Sequence, residues 1–165
     1  MTILGIDPGY AIVGFGVIRH DGVKSHHIVH GAIRTESYEE LNDRLVSIYE
    51  DMNTLLDTYK PNAVAIEQLF FNTNTTTAIN VAQARGIIAL AAAQRHIPIA
   101  EYTPLQVKQA VVGYGRAEKK QVMEMTRILL HLAQIPKPDD AADALAIALC
   151  HATSMSSRLM ERLNR

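Results

Sequence analysis

The sequence contains a single cysteine, no tryptophan, three phenylalanines and almost no net charge. Cys150 alone excludes an intrachain disulfide and a Cys-rich zinc site, and points to a reducing compartment. No stretch approaches the roughly 18 apolar residues of a membrane span, and the start of the chain lacks the basic flank and apolar length of a signal peptide. A cytoplasmic protein with no membrane partner is expected. Sixteen Lys+Arg against seventeen Asp+Glu give a formal net charge of −1, which excludes coating nucleic acid through a basic tail. What is present is 48% hydrophobic content over 165 residues, enough for one compact domain with a real core.

The near-zero sum hides a dipolar chain. Residues 36–57 hold seven acids and one base, Arg44, whereas Arg85 to Lys137 holds eight bases and three acids. The basic half is where an anionic polymer is expected to lie.

Residues 2–7 form a short apolar run ended by Asp7-Pro8-Gly9, which reads as a buried strand entering a turn. Residues 10–19 and 24–35, joined through Asp21-Gly22, predict two further strands and an antiparallel group of three. Apolar residues at Tyr38, Leu41, Leu45, Ile48, Tyr49, Met52, Leu55, Leu56 and Tyr59 predict an amphipathic helix over 38–59. Ala63-Val64-Ala65-Ile66-Glu67 reads as a strand buried on both faces. Helices are expected from the Asn/Thr-rich 72–77 to His96, from Thr103-Pro104, over 117–133 and over 140–152, with a strand at 97–102. The pattern is an α/β sheet whose first strands are antiparallel.

Asp7 and Glu67 both end apolar strands, and ligands of open α/β sheets gather beyond such carboxyl ends. Asp140 and Asp143, three apart on one helical face, interrupt a run of Ala, Leu and Ile that is otherwise suited to burial. Singly, each acid has an ordinary reading: Asp7 could cap a turn, Glu67 could pair with a buried Arg, and Asp140 with Asp139 could be charges favoured by the helix dipole. Four carboxylates converging at low dielectric, however, repel one another unless a cation neutralises them. Hard oxygen donors favour Mg2+ or Mn2+, and two such ions about 3.5–4 Å apart suit phosphodiester hydrolysis.

Several segments together resemble the RuvC Holliday-junction resolvases. They are Ile3-Leu4-Gly5-Ile6-Asp7-Pro8-Gly9, Ile66-Glu67-Gln68-Leu69-Phe70-Phe71, Ala84-Arg85-Gly86, Tyr102-Thr103-Pro104 with Val107-Lys108, Gly113-Tyr114-Gly115 to Lys119-Lys120-Gln121-Val122, and Asp140-Ala141-Ala142-Asp143-Ala144-Leu145-Ala146. The likeness runs from the start to about His151, giving a nuclease domain over 1–152 and a tail over 153–165. It implies an RNase H-like mixed five-stranded sheet, three antiparallel strands then two parallel, flanked by helices. It further implies a homodimer that cuts two like-polarity strands of a four-way DNA junction in recombination and repair. Two Mg2+ per site are expected, replaceable by Mn2+, on the catalytic acids Asp7, Glu67, Asp140 and Asp143, with RuvA and RuvB as branch-migration partners.

The same resemblance puts Lys108 and Lys119 near the scissile phosphate, where each could hold a phosphate oxygen. Arg116 and Lys120 extend this basic segment and suit DNA-backbone contacts. Phe70 matches the family position that stacks on a base unstacked at an opened junction, while Phe71 is expected in the core. His26, His27 and His30 fall on an alternating strand, so His27 cannot share a face with both others. His151 lies about 16 Å along its helix from Asp140, too far to ligate the same metal. Cys150 reads as a small core residue. Two rivals remain at this point. An ATP-binding enzyme of the actin or sugar-kinase type also begins with an acid and glycines, but needs two such domains. A noncatalytic junction-binding module has no use for four clustered acids.

Overall fold

The computed structural model describes residues 1–69 and 75–163, with side chains at 1–69 and 77–156. Five strands, β1 (Thr2–Asp7), β2 (Ile12–His20), β3 (Ser25–Arg34), β4 (Ala63–Glu67) and β5 (Ile99–Tyr102), form one sheet in the order β3-β2-β1-β4-β5. The first three pair antiparallel, and β1, β4 and β5 pair parallel. This is the expected mixed sheet. The helices are α1 (Leu41–Tyr59), α2 (Thr75–Ala93), α3 (Pro104–Val112), α4 (Lys119–Leu129) and α5 (Asp139–Leu163). Among the described residues none is long and apolar enough to cross a membrane.

Strand side chains alternate between faces, so β1 feeds two cores. Leu4 and Ile6, with Val17, Val64 and Ile66, pack against Ile48, Met52 and Leu56 of α1 and Ile88 of α2. Ile3, Ile18 and Ala65 on the other face meet Leu145 and Ile147 of α5, Val107 of α3 and Val122 of α4. Each fully buried Leu or Ile contributes about 1.5–3 kcal/mol. Central α5 is buried throughout residues 144–150, as its Ala-rich sequence predicts, and Cys150 lies in that core.

The α5 backbone comes unusually close to the sheet. A Cβ on Gly5 would collide with the Ala144 carbonyl and sit 2.8 Å from the Ala148 nitrogen, and one on Gly14 would collide with the Asp140 carbonyl. Glycine on the strands and alanine on the helix are what permit this approach.

Several boundaries differ from expectation. The first helix starts at Leu41, leaving Tyr38 in the preceding turn and 82% exposed. Its buried stripe contains Arg44, which stacks 4.6 Å over the Tyr10 ring and donates from Nε to Thr35 Oγ1 at 2.8 Å. A guanidinium can be buried when its plane is stacked and its donors are used. The expected helix at 117–133 is shorter: Glu118 and Gln121 form a capping box that starts it at Lys119. The last helix passes 152 and continues to Leu163, because no Gly or Pro occurs after Asp139 to stop it. Finally, the β2–β3 register shifts between Val17 and Ile18, leaving Ile28 as the extra residue. The bulge reverses the parity of the strand. His27 and His30, which strict alternation separates, therefore share a face, with Nε2 and Nδ1 2.8 Å apart.

Candidate active site

Asp7 and Glu67 each lie one position beyond Ile6–Ile66, the last registered pair of the parallel β1–β4 ladder. They stand side by side at the strand ends and, by alternation, face α5. Asp7 is opposite Gly14 in the β1–β2 ladder, and the Asp140 backbone fills the space above that glycine. Asp140 and Asp143 fall near the start of α5, where the helix dipole favours negative charge.

The electrostatics record the convergence. Burial first, then Glu67, Asp143 and Asp140, push the Asp7 carboxyl up to about 8, partly offset by Lys119. Burial and then Asp143 also raise Glu67, again against Lys119. Three chain segments thus bring four acids within range of one another, and Asp7 is the most strongly affected. A carboxylate cluster that resists ionisation by itself is what a hard divalent cation relieves, so the donor set fits Mg2+ or Mn2+ chemically. Among the described residues, no three Asp, Glu, His or Cys side chains form a ready-made ion cage. Such ions commonly take water and substrate phosphate as further ligands, so an open protein donor set is compatible with them.

Beside the acids is a cavity of about 270 Å3 lined by Glu67, Asp143, Lys108 and Lys119, with Val107 and Val122 among its apolar walls. Lys108 is carried by α3, which starts with a complete capping box between Thr103 and Gln106 and Pro104 in its first turn. Lys119 occupies the first turn of α4. Its ammonium lies 2.9 Å from Asp143 Oδ2 and 3.9 Å from Asp139 Oδ2, and the Asp143 hydrogen bond is the main reason its pKa is raised. Asp139, outside the four acids that the family resemblance implies, also accepts from Lys137 at 2.8 Å, which holds its carboxyl below the usual range. Its adjacency to Asp140 was visible, but its two lysine partners required the fold.

Arg116 and Lys120 are exposed, three residues before and one residue after the cavity-lining Lys119. Phe70 and Phe71 lie outside the described residues. His151 is remote from the acids along α5 and shares a hydrogen bond with the Tyr102 hydroxyl. Among the described residues Glu67 pairs with no buried Arg; Arg85 pairs instead with Glu101 at 2.6 Å.

Comparison with known proteins agrees with the fold. The family model described as crossover junction endodeoxyribonuclease RuvC matches residues 3–151. The protein of that name from Alkaliphilus metalliredigens is 61% identical over 154 residues, 93% of this chain and 94% of its own. The structure of Thermus thermophilus RuvC in complex with Holliday junction substrate is 36% identical, with a TM-score of 0.92 and 96% coverage of each chain. The yeast mitochondrial Holliday junction resolvase shares the fold at 16% identity and a TM-score of 0.68, over 98% of this chain and 83% of that one. The chain belongs to the RuvC family of crossover junction endodeoxyribonucleases.

Proposed function

We propose that the protein resolves four-way DNA junctions in recombination and repair by divalent-metal-dependent hydrolysis of phosphodiester bonds. The observation that carries the reading is the meeting of Asp7, Glu67, Asp140 and Asp143, with Asp7 driven to about 8 by its burial and its neighbours. These four carboxylates would hold Mg2+, two ions per site, with Mn2+ as a substitute. Such ions supply an activated water and charge stabilisation at the phosphate oxygens. The chain's own contribution is to exclude bulk water behind Asp7 and to aim two ammonium groups into the cavity. Lys119, released from Asp143, and Lys108, which both line the cavity, would hold non-bridging oxygens as charge develops. Arg116 and Lys120 bind the DNA backbone, and Phe70 stacks on an unpaired base.

A homodimer places two such sites about a two-fold axis that matches the approximate symmetry of the junction. Helix α2 supports it with an exposed stripe, Ile79, Gln83, Gly86, Leu90 and Ala93, at alternating spacings of four and three. Gly86 has open space where a side chain would be, while Ala91 and Ala92 of the same segment are spent on the internal core. Leu90→Glu is expected to yield monomers by sedimentation. RuvA and RuvB as partners, and a cytoplasmic setting, follow from the family.

The test is cleavage of a synthetic mobile junction with and without Mg2+. Symmetric nicks from the wild type, and none from Asp7→Asn at equal junction binding, are expected. A wild type that binds junctions yet cuts none under any divalent ion would establish the noncatalytic module in place of the nuclease.

A further inference from the structure

Tyr102 connects the separate pieces of the site. It is the last residue of β5 and the register partner of Glu67 in the β4–β5 ladder. Its carbonyl accepts the Gln68 N–H at 2.8 Å, so the residue following Glu67 is tied to it as well. Its hydroxyl shares a 2.8 Å hydrogen bond with Nδ1 of His151 on α5, and the two rings meet edge to face with centroids 5.9 Å apart. Both residues are buried. The next residue, Thr103, caps the helix that carries Lys108.

The remaining α5 contacts to the sheet are largely alanine, leucine and isoleucine packing against glycine and aliphatic side chains, with a further hydrogen bond between Ser156 and His20 of β2 at 3.0 Å, five residues farther from the acids than His151. Apolar packing holds two surfaces together without direction, whereas a hydrogen bond has a preferred distance and angle. His151 follows Asp143 by eight residues, about 12 Å along the helix axis. A hydrogen bond there resists sliding and rotation of the whole rod, including its acidic end.

We infer that Tyr102 and His151 are positioning residues, whose hydrogen bond fixes α5, and with it Asp140 and Asp143, relative to the strand end that carries Glu67. The inference rests on the metal-nuclease reading. It assigns the pair no contact with DNA or with an ion.

The full-length protein tests it through Mn2+ binding without DNA, followed by electron paramagnetic resonance, and through the Mg2+ concentration giving half-maximal junction cleavage. Tyr102→Phe keeps the ring and removes the hydroxyl; His151→Leu removes the imidazole. Both are expected to raise the Mn2+ dissociation constant and the Mg2+ requirement about tenfold, the scale of lost outer-sphere orientation, with metal-free junction binding unchanged. His151→Asn, which keeps an amide near the Nδ1 position, is expected to restore most of the loss. Met52→Ala, in the core on the opposite face of the sheet, controls for lowered stability and is expected to leave both metal readouts in place. Wild-type metal readouts in Tyr102→Phe, or an equal shift in Met52→Ala, would overturn the inference alone. A wild type that binds no Mn2+ and cuts no junction would overturn the metal-nuclease reading and this inference with it.

Discussion

Asp7 and Gly14 face each other across the β1–β2 ladder, and the space a side chain would fill at Gly14 is taken by the Asp140 backbone. Glycine at this position therefore sets how closely the helix carrying two acids approaches the strand carrying a third. Gly14→Ala is expected to lower stability by about 2–3 kcal/mol, the cost of overpacking against backbone that cannot rotate away. Cleavage should fall more than stability explains, because the new methyl pushes directly on the Asp140 turn. Denaturant unfolding and single-turnover cleavage on one preparation check both.

Asp7→Asn separates the activity of the site from its cost in stability. The folded carboxyl ionises near 8 and the unfolded one near 3.8. Between these values the folded state retains a proton that the unfolded state has released, so metal-free stability falls as pH rises from about 4 to about 8 and is flat beyond. Asparagine has no proton to lose. In EDTA at pH 8 the variant is expected to be more stable than wild type by about 1–3 kcal/mol, with the advantage vanishing near pH 4. Thermal melts across that window provide the measurement, and a constant difference between the two proteins would refute the assignment.

Lys119→Met removes the ammonium next to Asp143 while leaving an unbranched side chain at the helix start. Cleavage is expected to drop about 100-fold, as for loss of one preorganised charge at a reacting phosphate. Junction affinity should change little, and Lys119→Arg should restore only part of the rate, because the guanidinium fork is larger and planar. Separate filter-binding and cleavage assays distinguish this from a backbone contact. In the same assays, Arg116→Ala and Lys120→Ala should each reduce the slope of log affinity against log salt by about one.

The bulge at Ile28 has a pH signature. Burial lowers the pKa of both His27 and His30, and the proximity of His30 lowers His27 further. Below the unfolded value of 6.5 the unfolded chain takes up protons that the folded pair resists, so stability declines as pH falls from 6.5 through the lower folded values. His30→Asn should flatten that decline. A melting temperature with the same slope between pH 7 and 5 in both proteins would remove the pair as its source.

The strand-end acids and the Asp140–Asp143 face were legible because each interrupts an apolar pattern whose period is unambiguous. The antiparallel group of three followed from hairpin signals and the buried strand Ala63–Glu67 from its apolar run, whereas the mixed five-stranded sheet was implied by the family resemblance. What stayed hidden depends on long-range partners. Arg44 reads as the lone base of an acidic helix, and only the Tyr10 ring and Thr35 explain its burial. A bulge leaves no reliable mark in a sequence as β-rich as Ser25–Arg34, so the His27–His30 pairing could not be foreseen. Asp139 differs from Asp140 through lysines two and twenty residues away, and the Tyr102–His151 hydrogen bond joins residues 49 apart in the chain.

The distribution of the acids along the chain has a consequence for synthesis. Asp7 and Glu67 are in place once β1 and β4 have paired, but Asp140 and Asp143 join them only when α5, the C-terminal helix of the fold, docks on the far face of the sheet. Domains emerge from the ribosome N-terminus first. A growing chain therefore has its sheet, and even its basic segment, before it has a complete carboxylate set. On the proposed four-acid site, such a chain would be able to touch DNA but would become able to cut only when its last helix is in place.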